Sequence, residues 1–378
     1  MGVGIWNSRP QLPVHPSPDG SNIDRQAEVA LVNYLIASIF RQLDVTLGNR
    51  FISQSNNCYP YRAFIKSMLN YGEDTLSSQF SAGLFYKDTP GEHDSADLDG
   101  HNQGFIKTAG LTAEGRKIEL LGHLHVDLFF QEKLLLNGMY MKIKLPRRKD
   151  RFCLMTDDAS VHYKLKILAA ALFVKKVRVA PGERLGHAEA LLTATAKYPA
   201  DRVSMKVFSL PAGSRFIKQE NLFLGQLPKL VVIGLVHNDA FSRTFSKNLF
   251  NFKHYDISFI SIYLSGYQIP TKPFQPDFQE GSCVREYMSL VHASGKHMKD
   301  KGLLVNREDF VRGYMLCAFD LSPDQKCGDH YSLINMGNLR AEVRFARPLQ
   351  QTINMIVYGV FDNIIEINNQ RNVLFDYM

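Results

Sequence analysis

The most regular hydrophobic pattern in the chain lies close to its C-terminal end. Apolar and charged residues alternate over Leu339–Phe345, which is the period of a half-buried strand. After Pro348, the run Ile353–Phe361 is apolar on both faces, as in a strand that packs on two sides. Turn residues at 362–363 precede a further strand, Ile364–Ile367. Each buried large apolar side chain contributes about 1.5–3 kcal/mol, so these strands predict a large β core rather than an isolated hairpin.

Other apolar stretches, joined by turn residues, predict strands on both sides of one helical segment. Those before the helix are residues 118–130, 134–145, 152–155 and 163–179, and those after it are 203–208, 230–236, 257–264 and 314–319. Between them, residues 183–196 are rich in Ala and Leu and follow Pro181-Gly182, which predicts a helix that links two β halves. No short-period repeat is visible, which disfavours solenoids and propellers.

The first hundred residues alternate between turn-rich and apolar segments. Residues 1–21 are rich in Pro, Gly and Ser and predict a flexible leader, and Asn22 or Asp24 is placed to cap a helix that runs to Phe40. Gly48-Asn49 lies between two apolar stretches and predicts a two-residue hairpin turn. A short helix is expected over residues 62–71, ended by Gly72, and a polar, acidic surface loop over residues 87–104.

Composition favours a folded β protein. The chain has 378 residues, which predicts two domains or one large β architecture. A hydrophobic fraction of 45% excludes disorder as the default, and 25 Phe and 16 Tyr against one Trp fit a strand-rich chain. The net charge of +7 is compatible with an acidic partner such as nucleic acid, although solubility alone also explains it.

Cysteine usage points to a reducing compartment rather than to secretion. The chain has five cysteines, an odd number with no CxxC spacing, so neither a disulfide framework nor a zinc ribbon is indicated; they are Cys58, Cys153, Cys283, Cys317 and Cys327. No apolar run reaches the length of a membrane span. The start MGVGIW carries Trp6 where N-myristoylation needs Ser or Thr.

Enzyme motifs give little support for catalysis. The sequence contains no GxxxxGK[ST], GxSxG or HExxH motif and no GxGxxG after a strand, so we nominate no catalytic residue and no cofactor. His123 and His125 form an HxH pair of the kind that binds metal in cupin enzymes, because alternation along a strand places both imidazoles on one face. The acidic residue that should follow is poorly spaced, since Glu132 comes too late and Asp127 is the nearer one. Ordinary strand histidines are the alternative.

A basic run at a predicted turn offers a second candidate site. Arg147, Arg148, Lys149 and Arg151 are clustered, as in segments that contact packaged DNA or act as nuclear import signals. A solvated loop is the alternative interpretation. The same two interpretations apply to the cations at 175–178.

Four blocks of sequence carry a resemblance to a known family. In chain order they begin LDVTLGNRFISQSNNCYPY, NLFLGQLPKLVVIGLVHNDAF, GYMLCAFDLSPDQ and GNLRAEVRFARPLQQTINMIVYGVFDNII. Together they resemble the hexon-like major capsid protein encoded by Polinton (Maverick) elements and adintoviruses, from about residue 24 to the end. The resemblance implies an all-β double jelly roll with two eight-stranded sandwiches. We place the leader at 1–21, the first jelly roll at 22–180, a helical linker at 181–200 and the second jelly roll at 201–378.

The same resemblance implies a role in assembly. Three chains would form a homotrimer with pseudo-hexagonal outline, and these capsomers would contact one another, a single jelly-roll penton protein and, non-specifically, packaged DNA. The expected location is the virion capsid, with assembly in the host nucleus or cytoplasm. The two alternatives are a cupin-like metalloenzyme at His123 and His125, which would lose stoichiometric metal on His123→Ala, and a β-sandwich interaction protein retained by a host.

Three departures from the family pattern affect these expectations. The strand-rich segment that normally precedes the first helix is replaced by a Pro-rich leader, so the first jelly roll is expected to lack its first strand or strands. In FSRTFSKNLF, Arg243 stands where the family usually has Gly, and Leu249 where it usually has Pro. Together these features form the hypothesis of a degenerating genomic copy.

Overall fold

The computed structural model of the protein describes residues 14–15, 27–53, 56–158, 163–242, 244–322 and 335–374. Antiparallel sheets dominate it, and its helices are short. Before residue 181 the strands are β1 (Val14–His15), β2 (Val29–Leu31), β3 (Asp44–Leu47), β4 (Arg50–Ser53), β5 (Met141–Lys144), β6 (Leu154–Thr156) and β7 (Lys164–Leu165). After it they are β8 (Ala196–Pro199), β9 (Arg202–Leu210), β10 (Phe216–Gln219), β11 (Leu230–His237), β12 (Ile257–Leu264), β13 (Tyr267–Phe274), β14 (Leu316–Asp320), β15 (Leu339–Phe345), β16 (Ile353–Phe361), β17 (Ile364–Ile367) and β18 (Val373–Leu374).

Short helices alternate with these strands along the chain. They are α1 (Leu35–Ser38), α2 (Tyr59–Asn70), α3 (Glu73–Ser78), α4 (Gln103–Thr112), α5 (Pro181–Thr193), α6 (Asn238–Ser242), α7 (Val284–Ala293) and α8 (Arg307–Val311). Short 3-10 helices occur at Gln79–Gly83, Ala113–Gly115, Asp127–Phe129 and Asp150–Phe152. The helix expected between the two halves is therefore present as α5.

The second half of the chain forms a complete jelly roll. Eight consecutive strands, β9 to β16, make two four-stranded sheets with the orders β10-β15-β12-β13 and β14-β11-β16-β9. Consecutive strands alternate between the two sheets, except where β12 and β13 form a hairpin, and this winding is that of a jelly roll. The strand β16 lies between β11 and β9, and all nine of its residues are buried, as its continuous apolar sequence predicts.

The alternating strand β15 also follows its sequence pattern, with one exception. It pairs with β10 on one side and β12 on the other, and Leu339, Val343 and Phe345 are buried. Glu342, predicted to face solvent, is also buried, because Arg344 extends across it and joins its carboxylate at 2.6 Å. The ion pair therefore covers a carboxylate that the alternation alone would leave in water.

Strands in the first half are fewer in each sheet and shorter. The hairpin expected at Gly48-Asn49 is confirmed, since it joins β3 to β4, and β5 completes a three-stranded sheet. The other pairs are β2 with β6 and β1 with β7. Instead of two four-stranded sheets, the described part of this half has three small ones. Helices and irregular segments take the place of the other strands that the resemblance implied.

Several predictions for the first half are wrong. The helix expected from residue 22 or 24 to Phe40 is not formed over residues 27–34, because β2 pairs with β6 there and Tyr34 has a left-handed backbone (φ 54°). Only α1 is helical, and all of its residues are buried, so the spacing that looked amphipathic was continuous burial. Residues 118–130 and 166–179 form no helix or strand longer than a 3-10 turn.

Some predictions concern residues outside the described part of the chain. Most of the expected leader at 1–21 belongs to this group, and so does Arg243. Val14–His15 of that leader form β1, which pairs with β7. Leu249, at the position where the family usually has Pro, is 2% exposed and belongs to the main hydrophobic core.

One hydrophobic core continues from the first half into the second. The helix α2 provides the contact: the ring of Phe64 stacks on Phe250 with centroids 4.3 Å apart, and Tyr61 meets both Phe250 and Phe252 edge-on. The predicted helix at 62–71 thus begins earlier, at Tyr59, and is buried along almost its whole length. The two halves are packed together by aromatic rings.

We expect Phe250→Ala to lower the free energy of unfolding by about 3–5 kcal/mol, because it removes a buried ring from this contact and leaves a cavity. Phe216→Ala is the matched control, since Phe216 lies on the edge strand β10 and is 52% exposed. Its cost should stay within about 0.5 kcal/mol. Urea denaturation of both variants measures the difference, and equal losses would contradict the assignment of Phe250 to the core contact.

Candidate functional site

The two histidines of the HxH pair differ in burial. His125 is buried, its Nε2 is hydrogen-bonded to the hydroxyl of Tyr34, and its backbone N–H donates to the Tyr59 hydroxyl at 3.2 Å. His123 is exposed, and its ring lies 6.4 Å from that of Phe130. Because residues 118–126 are not a strand, the alternation that would align the two imidazoles is lost. The strand expected at this position was therefore wrong.

The surroundings of His125 also oppose a cation. Burial lowers the pKa of His125 well below its usual value, and the nearby charges of Lys66 and Arg62 lower it further. Asp127, the nearest acidic residue in the sequence, contacts those two cations instead. Within the described residues, no group of three or more His, Cys, Asp or Glu side chains is placed to hold a metal ion.

The basic run divides into packed and exposed cations. Arg148 is only 7% exposed: its guanidinium lies 4.2 Å from the ring centre of Phe152 and donates to the Asn57 carbonyl at 2.9 Å. Arg147 donates to the carboxylate of Asp150 and to the carbonyl of Leu165. Both arginines hold the turn together, but only Arg148 is buried, whereas Arg147 is exposed.

Lys149 and Arg151 remain at the surface. The Arg151 guanidinium lies 5.6 Å from the ring centre of Phe245, and both side chains border a cleft of about 490 Å³ that also includes Tyr163 and Lys164. An open, positively charged cleft has the chemistry to accept phosphate groups. The exposed cations of the run are therefore Arg147, Lys149 and Arg151, and all three line this cleft.

The most densely connected polar site was not predicted. Asp88 lies in the 87–104 segment, which we expected to be a surface loop, yet it is 4% exposed. Its carboxylate accepts hydrogen bonds from the side-chain amides of Asn33 (3.3 Å), Asn102 (3.1 Å) and Asn248 (3.0 Å), and its carbonyl accepts one from the Tyr314 hydroxyl (2.8 Å). Two of these partners precede residue 181 and two follow it. Asp88 therefore joins the two halves.

Burial raises the pKa of Asp88 to about 6, although its three amide hydrogen bonds act in the opposite direction. Three neutral donors do not replace the hydration of a buried carboxylate completely. At neutral pH the site therefore holds a carboxylate whose ionisation is costly. No pattern in the sequence predicts the burial of Asp88, because an Asp in a polar segment normally faces solvent.

The neighbours of Asp88 continue the junction. Asp94 accepts from the Lys253 ammonium (3.0 Å) and from the backbone N–H of Asn248 (3.0 Å). His93 is fully buried, neither of its ring nitrogens has a hydrogen-bond partner in the described part of the chain, and burial lowers its pKa to about 4. Gly313 (φ 104°) lies against it, and a Cβ there would be 2.5 Å from the ring, so only glycine fits.

A second buried carboxylate, Asp127, also joins the halves, through two cations of α2. It accepts from Arg62 and Lys66, each at 2.6 Å, and from the backbone N–H of Val203 on β9 at 3.1 Å. Burial acts to raise the pKa of Asp127, but Lys66 and Arg62 outweigh it and hold the pKa below its usual value. Asp127 is therefore ionised and paired with two cations. Asp88 has only neutral hydrogen-bond donors around its carboxylate, so its ionisation lowers the stability of the fold. Both fix one half against the other.

None of the helices in the described ranges is both long enough and apolar enough to cross a bilayer.

The junction makes stability depend on pH in a defined direction. Between about 3.9, the ordinary pKa of Asp, and the raised value of about 6, the folded protein keeps a proton on Asp88 that the unfolded chain releases. Wild-type protein should therefore gain about 1 kcal/mol of stability relative to Asp88→Asn when the pH falls from 7 to 5. Urea denaturation at both pH values measures this gain.

Comparison with Asp88→Asn is necessary because His93 acts oppositely. Its pKa is lowered to about 4, so its contribution to stability is lost as the pH falls. Both proteins share that loss, and it cancels in the difference between them. Parallel pH profiles for the two proteins would rule out Asp88 as the source.

Comparison with known sequences finds a relative that is similar over most of this chain. No known protein-family profile matches the chain. An uncharacterized protein of Caenorhabditis elegans is 22% identical over 355 residues, which cover 92% of this chain and 82% of the nematode protein. The likeness extends over both halves of this chain.

Solved structures show the fold. A chain of the Sputnik virophage cryo-EM structure matches with a TM-score of 0.59 and 12% identity, covering 99% of this chain and 84% of that one. The mavirus major capsid protein matches at 0.51 and 10% (100% and 81% covered), and the Faustovirus major capsid protein at 0.53 and 7% (96% and 79% covered). The chain therefore has the all-β double jelly-roll fold, with its second jelly roll complete.

Proposed function

We propose that this chain is a structural, non-enzymatic major capsid protein that acts by assembling into a virion shell. The observation that carries the proposal is the coverage of the structural likeness. Capsid proteins of a virophage, mavirus and Faustovirus match between 96% and 100% of this chain, both halves together. A β sandwich by itself supports many functions, whereas two of them rigidly joined in one chain suit a repeating shell subunit.

The assembled unit that we propose is a trimer. Three chains with two jelly rolls each give six similar lobes, which produces a pseudo-hexagonal capsomer. One surface of each chain would meet a different surface of the next, and such heterologous contacts close into a ring. Capsomers would then tile through further contacts, with a single jelly-roll penton protein at the vertices.

The junction between the halves supports this proposal. A capsomer can tile only if the two lobes of each chain keep a constant relative orientation. The Asp88 carboxylate accepts hydrogen bonds from side-chain amides of both halves. Asp127 accepts one from the backbone N–H of Val203, and the ring of Phe64 stacks on that of Phe250. Two buried carboxylates and a ring stack, each contacting both halves, restrict the rotation of one lobe against the other.

For its origin, we propose a Polinton-like or adintovirus-like genetic element. The support is the sequence resemblance described above together with a relative encoded in an animal, the nematode C. elegans. The protein would then act in the virion capsid after assembly in the host nucleus or cytoplasm. The nematode relative equally supports a second candidate, a β-sandwich interaction protein retained by a host, which transcription without neighbouring element genes would favour.

The first prediction of the capsid proposal concerns solution mass. Purified protein should scatter light as a species of three times the 42.9 kDa chain mass, and the same peak should carry no stoichiometric metal. The homotrimer follows from the closed ring of heterologous contacts. A monomer that binds one metal ion, lost on His123→Ala, would instead support the cupin-like alternative. A metal-free monomer would contradict the capsid proposal.

A second prediction concerns packaged DNA. We propose that Lys149 and Arg151 contact phosphates, so the double variant Lys149→Ala/Arg151→Ala should reduce the slope of log affinity against log salt by about two, one for each cation removed. Lys299→Ala/Lys301→Ala removes two exposed cations elsewhere and should leave the slope unchanged. Fluorescence anisotropy with duplex DNA measures both slopes, and equal slopes in all three proteins would exclude this patch.

A further inference from the structure

An exposed apolar arm connects the two halves. Residues 166–180 lie between β7 and α5, and they neither pair with a strand nor form a helix. Eight consecutive apolar residues, 167–174 with the sequence ILAAALFV, occupy its centre. All of them except Ile167 are exposed, including Leu172 (45%) and Phe173 (44%).

Such a segment is costly to leave in water. Burial of apolar surface contributes about 25 cal/mol of free energy per Å², and the exposed arm lacks this contribution. Contiguous apolar patches on soluble proteins usually mark a contact surface. The backbone of the arm, which pairs with no described strand, also presents N–H and C=O groups that a strand edge can pair. Apolar side chains and unpaired backbone together favour a protein sheet as the partner over a lipid surface, since unpaired backbone is not satisfied in hydrocarbon.

An acceptor for the arm exists in the first half. The strand β5 is the outer strand of its three-stranded sheet, and among the described strands it pairs with β3 alone. Its residues alternate between half-buried Met141 and Ile143 and exposed Lys142 and Lys144. Tyr140, immediately before it, is 68% exposed. An added strand would cover that apolar surface and satisfy the open edge.

We propose that residues 167–174 of one copy of the chain add as a strand to the open side of β5 in a second copy. This inference rests on the proposed assembly function and names one contact that carries it. The occupant is another copy because a donor segment and an open acceptor edge occur in the same chain, unpaired with one another. Contact of one copy's arm with the next copy's edge is heterologous, so three such contacts can close a ring.

The charges near the contact are compatible with this arrangement. The eight-residue run contains no charged side chain, so it brings none against Lys142 and Lys144 on β5. Its flanking cations, Lys166, Lys175 and Lys176, lie outside the added strand and are exposed. The helix α5 that follows is exposed on nearly all of its residues, which leaves the arm room to reach a neighbour.

The experiment compares two charge-introducing variants of the full-length protein. Leu172→Glu/Phe173→Glu alters the arm, and Leu185→Glu/Leu192→Glu is the matched control on α5, where both leucines are 73% exposed. Light scattering over a dilution series should show the arm variant dissociating at a concentration about tenfold or more above that of wild type, as for contact residues that dominate an interface. The control should associate like wild type. Unchanged circular dichroism and melting temperature confirm that both variants fold.

A crosslinking measurement tests the acceptor edge directly. A copy with Ala170→Cys is mixed with a copy carrying Lys142→Cys, treated with a short thiol crosslinker and digested for mass spectrometry. The expected product joins the arm of one copy to β5 of the other, and Leu185→Cys in place of Ala170→Cys should give much less of it. The described native cysteines are buried and therefore contribute little background.

The outcomes separate the arm contact from the capsid proposal. If wild type is trimeric and the arm variant is trimeric at the same concentrations, the arm contact is wrong and the capsid proposal stands. If crosslinked dimers form without trimers, the arm contact stands and the capsomer proposal fails. A monomeric wild type contradicts both. Loss of binding to phosphatidylserine vesicles in the arm variant, with unchanged self-association, would assign the arm to a lipid surface and overturn the inference.

Discussion

The burial of charge between the two halves constrains the rest of the structure. Arg62 and Lys66 are buried on α2, and buried cations cost several kcal/mol each unless they are paired. Asp127, in the same half, supplies the pairing, and its carboxylate also accepts a hydrogen bond from the backbone N–H of Val203, so the second half completes the cluster. The same position brings Phe64 onto Phe250. Docking of the halves is thus specific as well as apolar, which a rigid two-lobed subunit requires.

Sequence patterns predicted the second half well because its signals are local. Alternation over Leu339–Phe345 and continuous apolarity over Ile353–Phe361 give the strand bounds found in the structure. Patterns of similar apolarity failed at 118–130 and 166–179. A run of apolar residues indicates that a segment is stabilised by burial. It forms a strand only where neighbouring strands supply hydrogen-bond partners for its backbone. In the first half, helices cover part of the core. In the arm, no described strand lies beside the chain to pair with it.

The candidate site was predicted even less completely, for a related reason. The HxH spacing of His123 and His125 implies one face only if the segment is a strand, and it is not. The cations at 147–151 were correctly recognised as a cluster, yet nothing local indicates that Arg148 stacks on Phe152. The partners of Asp88 come from positions as distant as Asn33 and Asn248, so its burial depends on the complete fold.

The two halves therefore differ in how they are stabilised. The second half has eight strands in two sheets and buries its apolar strands within itself. The first half has small sheets and depends on α2, Asp88 and Asp127 for contact with the second. Two of its features lack a partner among the described residues, the outer edge of β5 and the exposed apolar arm, and both lie in the same half of the chain. Strand addition between copies would remove both at once, so the less complete half is the one whose stability assembly would increase.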